Sequence, residues 1–248
     1  MKHYDLIAQN FEENWFFDKN YIPTFIKEIC EALEFQKLNY ECNILDLGCG
    51  TGHYLQEVIK SQNNIKFKIP ITGVDLSQKM IDIFNSKKEF QGHCKSADIF
   101  ISSKRETYDR IISKEVIHHI KDISNFAKNI NNALTKDGKA LIITRPKKTT
   151  IPFSKSCHEL FSKSQPDFSH IKKELQKSMV SFVTKEISIP VKIKKEHFYQ
   201  MIRNRFMSCF NELTDKKIDE SINELNHFFS NDDVIEFNDC FHFILISK

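Results

Sequence analysis

Three of the chain's six glycines fall at Gly48, Gly50 and Gly52, inside the run Ile44-Leu45-Asp46-Leu47-Gly48-Cys49-Gly50-Thr51-Gly52. In so glycine-poor a sequence, that cluster constrains the fold more than any other feature. It lies between a strand-like run, Cys42–Leu47, and a helical pattern, His53–Lys60, in which Leu55, Val58 and Ile59 share a face. Glycines admit positive φ and close approach of a ligand to the backbone, and the helix that follows offers unpaired N–H groups to it. Asp46 precedes the loop and Asp75 ends the next strand, where doubly wound sheets read ribose hydroxyls.

The pattern continues as alternating strands and helices. Ile69–Asp75 reads as a strand, followed by a helix with N-cap Ser77 that carries Met80, Ile81 and Phe84. Phe90–Lys95 and Tyr108–Ser113 are the next strands. Asp122 caps a helix with Ile123, Phe126, Ala127, Ile130 and Leu134 on its apolar side, and Lys139–Thr144 follows the turn Lys136-Asp137-Gly138. Such alternation predicts a parallel sheet covered on both faces. Beyond it, Ser154–Ser164 and Phe168–Met179 read as helices and Ser181–Ile193 as a strand. Two helices follow, with stripes at Phe198, Ile202, Phe206, Phe210 and at Ile218, Ile222, Leu225, Phe229, and Phe241–Ser247 is a buried last strand.

Composition narrows the function classes. The chain has 248 residues, 36 Lys+Arg against 33 Asp+Glu, and a pI near 8.3, which is low for a polyanion binder. Seven scattered cysteines without a CxxC pair argue against a disulfide framework and against a metal site. No run is long and apolar enough to span a bilayer and no leader is recognisable, so a cytoplasmic protein with no membrane partner is expected.

The loop itself discriminates between nucleotides. A dinucleotide fingerprint would be GxGxxG/A, whereas His53 follows Gly52 here, and no Gly-Lys-Ser/Thr of a phosphate loop is present. Asp46 would repel a pyrophosphate but suits the cationic amino group of a methionine moiety, which favours S-adenosyl-L-methionine over NAD.

With these residues in view, the sequence resembles the class I S-adenosylmethionine-dependent methyltransferases, in particular their small-molecule group. The resemblance runs over residues 1–145 through Ile44–Tyr54, Gly73–Ile81, Ser96–Ile99, Tyr108–Ile120 and Leu134–Thr144. The Asp46–Asp75 spacing exceeds the family's, which places an insertion at Ser61–Lys68. The resemblance implies a Rossmann-like α/β fold: a seven-stranded, mostly parallel sheet with an antiparallel last strand, plus a helical cap. It divides one domain into lid helices (1–40), a cofactor-binding core (41–145), cap insertions around strand six (146–232) and a final strand (233–248). It also implies roles. Asp46, Gly48 and Gly50 would hold the methionine end and Asp75 the ribose, with Leu76 and Met80 on adenine. Asp98 would meet the adenine amino group with Ile99 beside the ring, and Ser113 would act through its backbone under the sulfonium. The stretch from Tyr4 to Trp15 is similar to a lid that closes over cofactor and substrate. S-adenosyl-L-homocysteine would be the product.

Acceptor residues are read from position. His118 and His119 follow the fourth strand at the ligand edge, and His is a base near neutral pH. Adjacent residues are not expected to face one pocket together, so the two stand as alternatives, with Glu115 a further candidate base. Arginine is scarce, only five residues, and Arg145, beside Pro146, and Arg203, four residues after Tyr199, suggest a fork that grips a carboxylate-bearing small-molecule substrate. Nucleic acid is disfavoured as a partner, and the oligomeric state is not legible. The alternatives are an RNA or protein methyltransferase, with Lys147, Lys148, Lys155, Lys163, Lys172, Lys173 and Lys177 as a basic rim, or a non-catalytic cofactor-binding subunit.

Overall fold

The computed structural model describes residues 4–5, 8–14, 17–38 and 41–248. Its strands are β1 (Ile44–Leu47), β2 (Ile71–Asp75), β3 (Phe90–Cys94), β4 (Tyr108–Lys114), β5 (Leu134–Thr144), β6 (Phe182–Lys194) and β7 (Val234–Ser247). They form one seven-stranded sheet in the order β3-β2-β1-β4-β5-β7-β6. The first five run parallel, while β7 is antiparallel to both β5 and β6. The order reverses between β1 and β4, which opens a crevice at their carboxyl ends. The expected architecture, antiparallel last strand included, is the one observed.

The helices are α1 (Phe11–Asn14), α2 (Tyr21–Ala32), α3 (His53–Ser61), α4 (Gln78–Asn85), α5 (Ala97–Ser102), α6 (Ile123–Ala133), α7 (Lys155–Ser164), α8 (Phe168–Lys177), α9 (Lys195–Arg203) and α10 (Asp215–Phe228). Period-two alternation in the strands divides the core. Ile44, Ile112 and Ile143 face α2, α3 and the cap, whereas Leu45, Leu47, Ile111 and Ile142 face α6 and α8. Helix α2 buries Tyr21, Phe25, Ile26 and Ile29 and is therefore a layer of the core as well as part of the N-terminal approach to the crevice. Asp18 fixes its start. One carboxylate oxygen accepts from the N–H groups of Asn20 (2.7 Å) and Tyr21 (3.1 Å), and the other accepts from Lys192 N on the edge strand β6 (3.0 Å).

The caps follow the sequence. Ser77 accepts from Met80 N and Asp122 from Asn125 N, each relieving an unpaired donor of a first helical turn. Boundaries moved where chemistry interrupted the pattern. Strand β2 begins at Ile71, after Pro70, which has no N–H for the ladder. The Lys136–Gly138 turn does not open β5 but sits within it, where the pairing jumps from Tyr108↔Leu134 to Arg110↔Lys139. Strand β7 starts seven residues before Phe241, because Glu236, Asn238 and Asp239 mask a strand that pairs with β6 from Val234 to Ile246. The segment after α3 is pinned back on the core by a bridge between Cys42 and Phe67.

Packing under the glycine-rich loop is tight. Phe84, fully buried on α4, lies where a Cβ on Gly73 would be 2.3 Å from its ring and where one on Gly52 would be 2.6 Å from it. Gly73→Ala is therefore expected to destabilise the fold by about 1–3 kcal/mol through overpacking, measured as a fall in the urea midpoint at unchanged slope.

Candidate functional site

A cavity of about 620 Å³ opens at the crevice, within the range of about 300–1,000 Å³ usual for ligand sites. On one side it is walled by the β1–α3 loop (Gly48, Cys49, Gly50), by Asp75, Leu76 and Met80 after β2, and by Ser96 and Ala97 after β3. On the other side stand cap residues, among them Phe161, Gln165, Phe206, Met207 and Glu212. The lining also includes Asp46, Tyr54, Lys114, Glu115, His118 and His119, and from the N-terminal segment Tyr4 and Phe11.

The loop's geometry comes from its glycines. Gly48, Gly50 and Gly52 have φ of +79°, +51° and +81°, values at which a side chain is strained. A Cβ on Gly48 would be 2.1 Å from Val116, so this glycine lets the loop close on the segment after β4. Gly50 N donates to one oxygen of Asp75 (3.0 Å) and Ser77 N to the other (2.9 Å), which aims that carboxylate across the crevice. Asp46 is buried, and burial together with the charge of Asp75 pushes it up to about 7 despite the attraction of Lys114.

Behind the cavity lies a buried ionic cluster. Arg145 Nε and Nη2 donate to the two oxygens of Asp239 at 3.0 and 2.7 Å, and its Nη1 lies 3.1 Å from Glu115 Oε2. Tyr21 Oη donates to Asp239 at 2.6 Å. Burial would raise Glu115, but Arg145, His118 and Lys114 outweigh it and hold the carboxyl below its usual range. Glu115 sits at φ +58°, an unusual conformation for a residue with a side chain. Lys114 has its ammonium 4.2 Å from the centre of the Tyr54 ring, and burial next to Arg145 brings it down to about 8. Burial lowers His118 to about 4 although Glu115 opposes the shift, so it is neutral near pH 7.

Of the residues singled out in the sequence, Tyr4, Asp46, Gly48, Gly50, Asp75, Leu76, Met80, Glu115, His118 and His119 line the cavity together. The two histidines are not alternatives. In the tight turn Ile117–His119 their rings lie 4.0 Å apart and both reach the cavity, which corrects the expectation that only one could.

Others stand elsewhere. Asp98 turns to its own helix end, bonded to Ser96 Oγ and Ile99 N, and Ile99 is exposed. Ser113 is fully buried, and its neighbours Ile112 and Lys114 reach the cavity instead. Arg145 is buried among acids of its own chain, Tyr199 is buried in the cap, Arg203 is exposed, and none of the three is in the cavity lining, where a guanidinium would have to stand to grip a carboxylate. Trp15 lies outside the described residues. Lys114, Tyr54 and Gln165 were missed. A lysine ending an apolar strand at the ligand edge was a usable signal for the first; cap residues such as Gln165 carry none. Among the described residues no cluster of His, Cys, Asp or Glu could hold a metal, and no helix is long and apolar enough to cross a membrane.

Comparison with known proteins bears on the family and the fold. A methyltransferase-domain family model matches residues 17–185. A malonyl-[acyl-carrier protein] O-methyltransferase of Bacillus anthracis is 30% identical over 109 residues, 43% of this chain and 38% of that protein. A ubiquinone biosynthesis O-methyltransferase of Pelagibacter ubique is 29% identical over 104 residues, 41% of each. The aligned stretches thus span about two fifths of these relatives' length. In fold, the chain is similar to a protein of an antibiotic biosynthesis pathway from Anabaena variabilis, with TM-score 0.72 and 14% identity over 93% of this chain and 100% of that one. It is also similar to phosphoethanolamine N-methyltransferase 2 of Haemonchus contortus in complex with S-adenosyl-L-methionine, with TM-score 0.58 and 17% identity over 97% of this chain and 57% of that one.

The ionic cluster is expected to be stability-critical. Asp239→Ala leaves Arg145 buried without its bidentate partner and should cost about 3–5 kcal/mol, read as a lower denaturant midpoint.

Proposed function

We propose that this chain, which belongs to the class I methyltransferase family, transfers the methyl group of S-adenosyl-L-methionine to a small molecule held under the helical cap. The observation that carries the reading is the pair of carboxylates, Asp46 and Asp75, on the cofactor side of the cavity. Two acids beside a glycine-rich loop disfavour a phosphate and favour a ligand with a cationic amino group and ribose hydroxyls. The cofactor fits the residues present. Asp46 stands in the lining for an ammonium, Asp75 is held by two backbone donors, and exposed Leu76 and buried Met80 give an apolar wall for a base.

When bound, the cofactor supplies an activated methyl on a sulfonium, so the chain's own residues have to align, exclude water and manage a proton. Alignment falls to the cap walls, Phe161, Phe206 and Met207, opposite the loop. Exclusion of water falls to the N-terminal segment. Glu12 accepts from Thr51 Oγ1 (2.9 Å) and lies 3.5 Å from His53 Nδ1, while Asp5 accepts from Ser77 Oγ (2.5 Å). These ties, with Tyr4 and Phe11 in the lining, support a lid closed on the cofactor side. An acceptor proton has His118 as the neutral base, Glu115 beside it to stabilise the imidazolium, and His119 as an exposed neighbour that leads to solvent.

Incubating the purified chain with methyl-labelled cofactor and a metabolite extract, then identifying the product by mass, tests the reading; label found only in RNA or protein would overturn it. Asp75→Ala should weaken cofactor binding by about 1–3 kcal/mol, measured by calorimetric titration. Because Asp46 titrates at about 7 and only its ionised form attracts the ammonium, cofactor affinity should be about tenfold lower at pH 6 than at pH 8. Asp46→Asn should flatten that dependence.

A further inference from the structure

We propose that the acceptor side of the cavity selects a neutral, hydroxyl-bearing molecule on an apolar skeleton and rejects carboxylates, with Glu115 performing both tasks. The proposal rests on the methyl-transfer reading for which end of the cavity takes the acceptor. It goes beyond that reading by naming the chemistry of the acceptor.

Glu115 is bound on one side only. Arg145 holds Oε2 at 3.1 Å, while Oε1 is buried, belongs to a cavity-lining residue and has no hydrogen-bond partner among the described residues. An ionised carboxylate can only accept, and a buried acceptor left unmet is costly. A ligand O–H satisfies it; a ligand carboxylate meets it with like charge, so one group both attracts and discriminates.

A second atom of the same kind belongs to a lining residue of the cap. Gln165, 7% exposed at the end of α7, has its Oε1 buried without a partner among the described residues. The third is His118 Nδ1, likewise buried and unpartnered. Gln165 and His118 can each be turned to donate or accept, so the sign of the selection comes from Glu115.

The cations complete the case. Arg145, which the sequence offered as a carboxylate grip, is engaged by Asp239 and Glu115, Lys114 lies on the face of Tyr54, and Lys95 enters the lining after β3, next to Ser96 and Ala97. On the cap side Phe161, Phe206 and Met207 give an apolar surface that suits a hydrocarbon or aromatic body, and Glu212 adds a further carboxylate to the lining beside Ser164, Ser208 and Cys209. The positive φ of Glu115 fits a side chain fixed by its role, since such strain gathers at functional sites.

The test uses the full chain loaded with S-adenosyl-L-homocysteine, with 4-propylphenol, 4-propylanisole and 4-propylbenzoate as probes in calorimetric titration at pH 7.5. The phenol is expected to bind about tenfold or more tighter than the ether and the benzoate. Glu115→Gln should bring the benzoate to within about threefold of the phenol. Gln165→Leu, which leaves the ionic cluster intact, should weaken the phenol by about tenfold while S-adenosyl-L-homocysteine binds as before, so the proposal remains testable should Glu115→Gln fail to fold. A benzoate that binds as well as the phenol, no binding of any probe, or a phenol–benzoate ratio unchanged in a folded Glu115→Gln variant would overturn the proposal and leave methyl transfer standing. A wild-type chain that does not take up S-adenosyl-L-homocysteine would bring down both.

Discussion

The Arg145–Asp239 pair holds together the parts of this molecule that have to agree for a site to exist. It links the end of β5 to the middle of β7, and through Tyr21 it reaches α2 and through Glu115 the end of β4. Charges out of water are stable only when paired, and here a planar guanidinium donates to both oxygens of one carboxylate along its edge and forms an ion pair with a second. The arrangement sets Glu115 at the cavity wall in an otherwise unfavourable backbone conformation. It is also why an aspartate can be fully buried in a sheet strand.

The glycine-rich loop shows a second dependence. Its glycines serve the protein's own packing as directly as any ligand. Gly48 admits Val116 and Gly52 admits Phe84, so the loop is clamped between the segment after β4 and helix α4. At Gly50 the nearest atom to an added Cβ is the Phe11 ring at 3.7 Å, and the restriction there is its φ of +51°. Rigidity of this kind positions Asp75, whose two oxygens are occupied by backbone donors of the loop and of the following turn.

Electrostatics then sets the charge states in the cavity. Asp46 is raised by burial and by the charge of Asp75, while Glu115 stays ionised and His118 neutral in the same lining. The burial that raises Asp46 to about 7 also lowers His118, because removing water disfavours whichever form carries charge. Glu115 escapes that rule only through its cationic neighbours.

By itself the sequence determined the alternating strands and helices, the caps at Ser77 and Asp122, the glycine-rich loop and the two acids beside it. All of these are local patterns: periodicity, side-chain capping and backbone freedom act over a few residues. Tertiary structure alone decided which charges line the cavity. Arg145 looked like a substrate grip until Asp239, 94 residues away in the chain, proved to occupy it. Asp239 in turn disguised the first half of β7 as a loop. Lys114, Tyr54 and Gln165 reach the cavity through the pairing of β1 with β4 and the placement of the cap, and His118 and His119 share it because of one tight turn. Partner choice among buried charges is long-range and set by which surfaces pack together, so no local pattern records it.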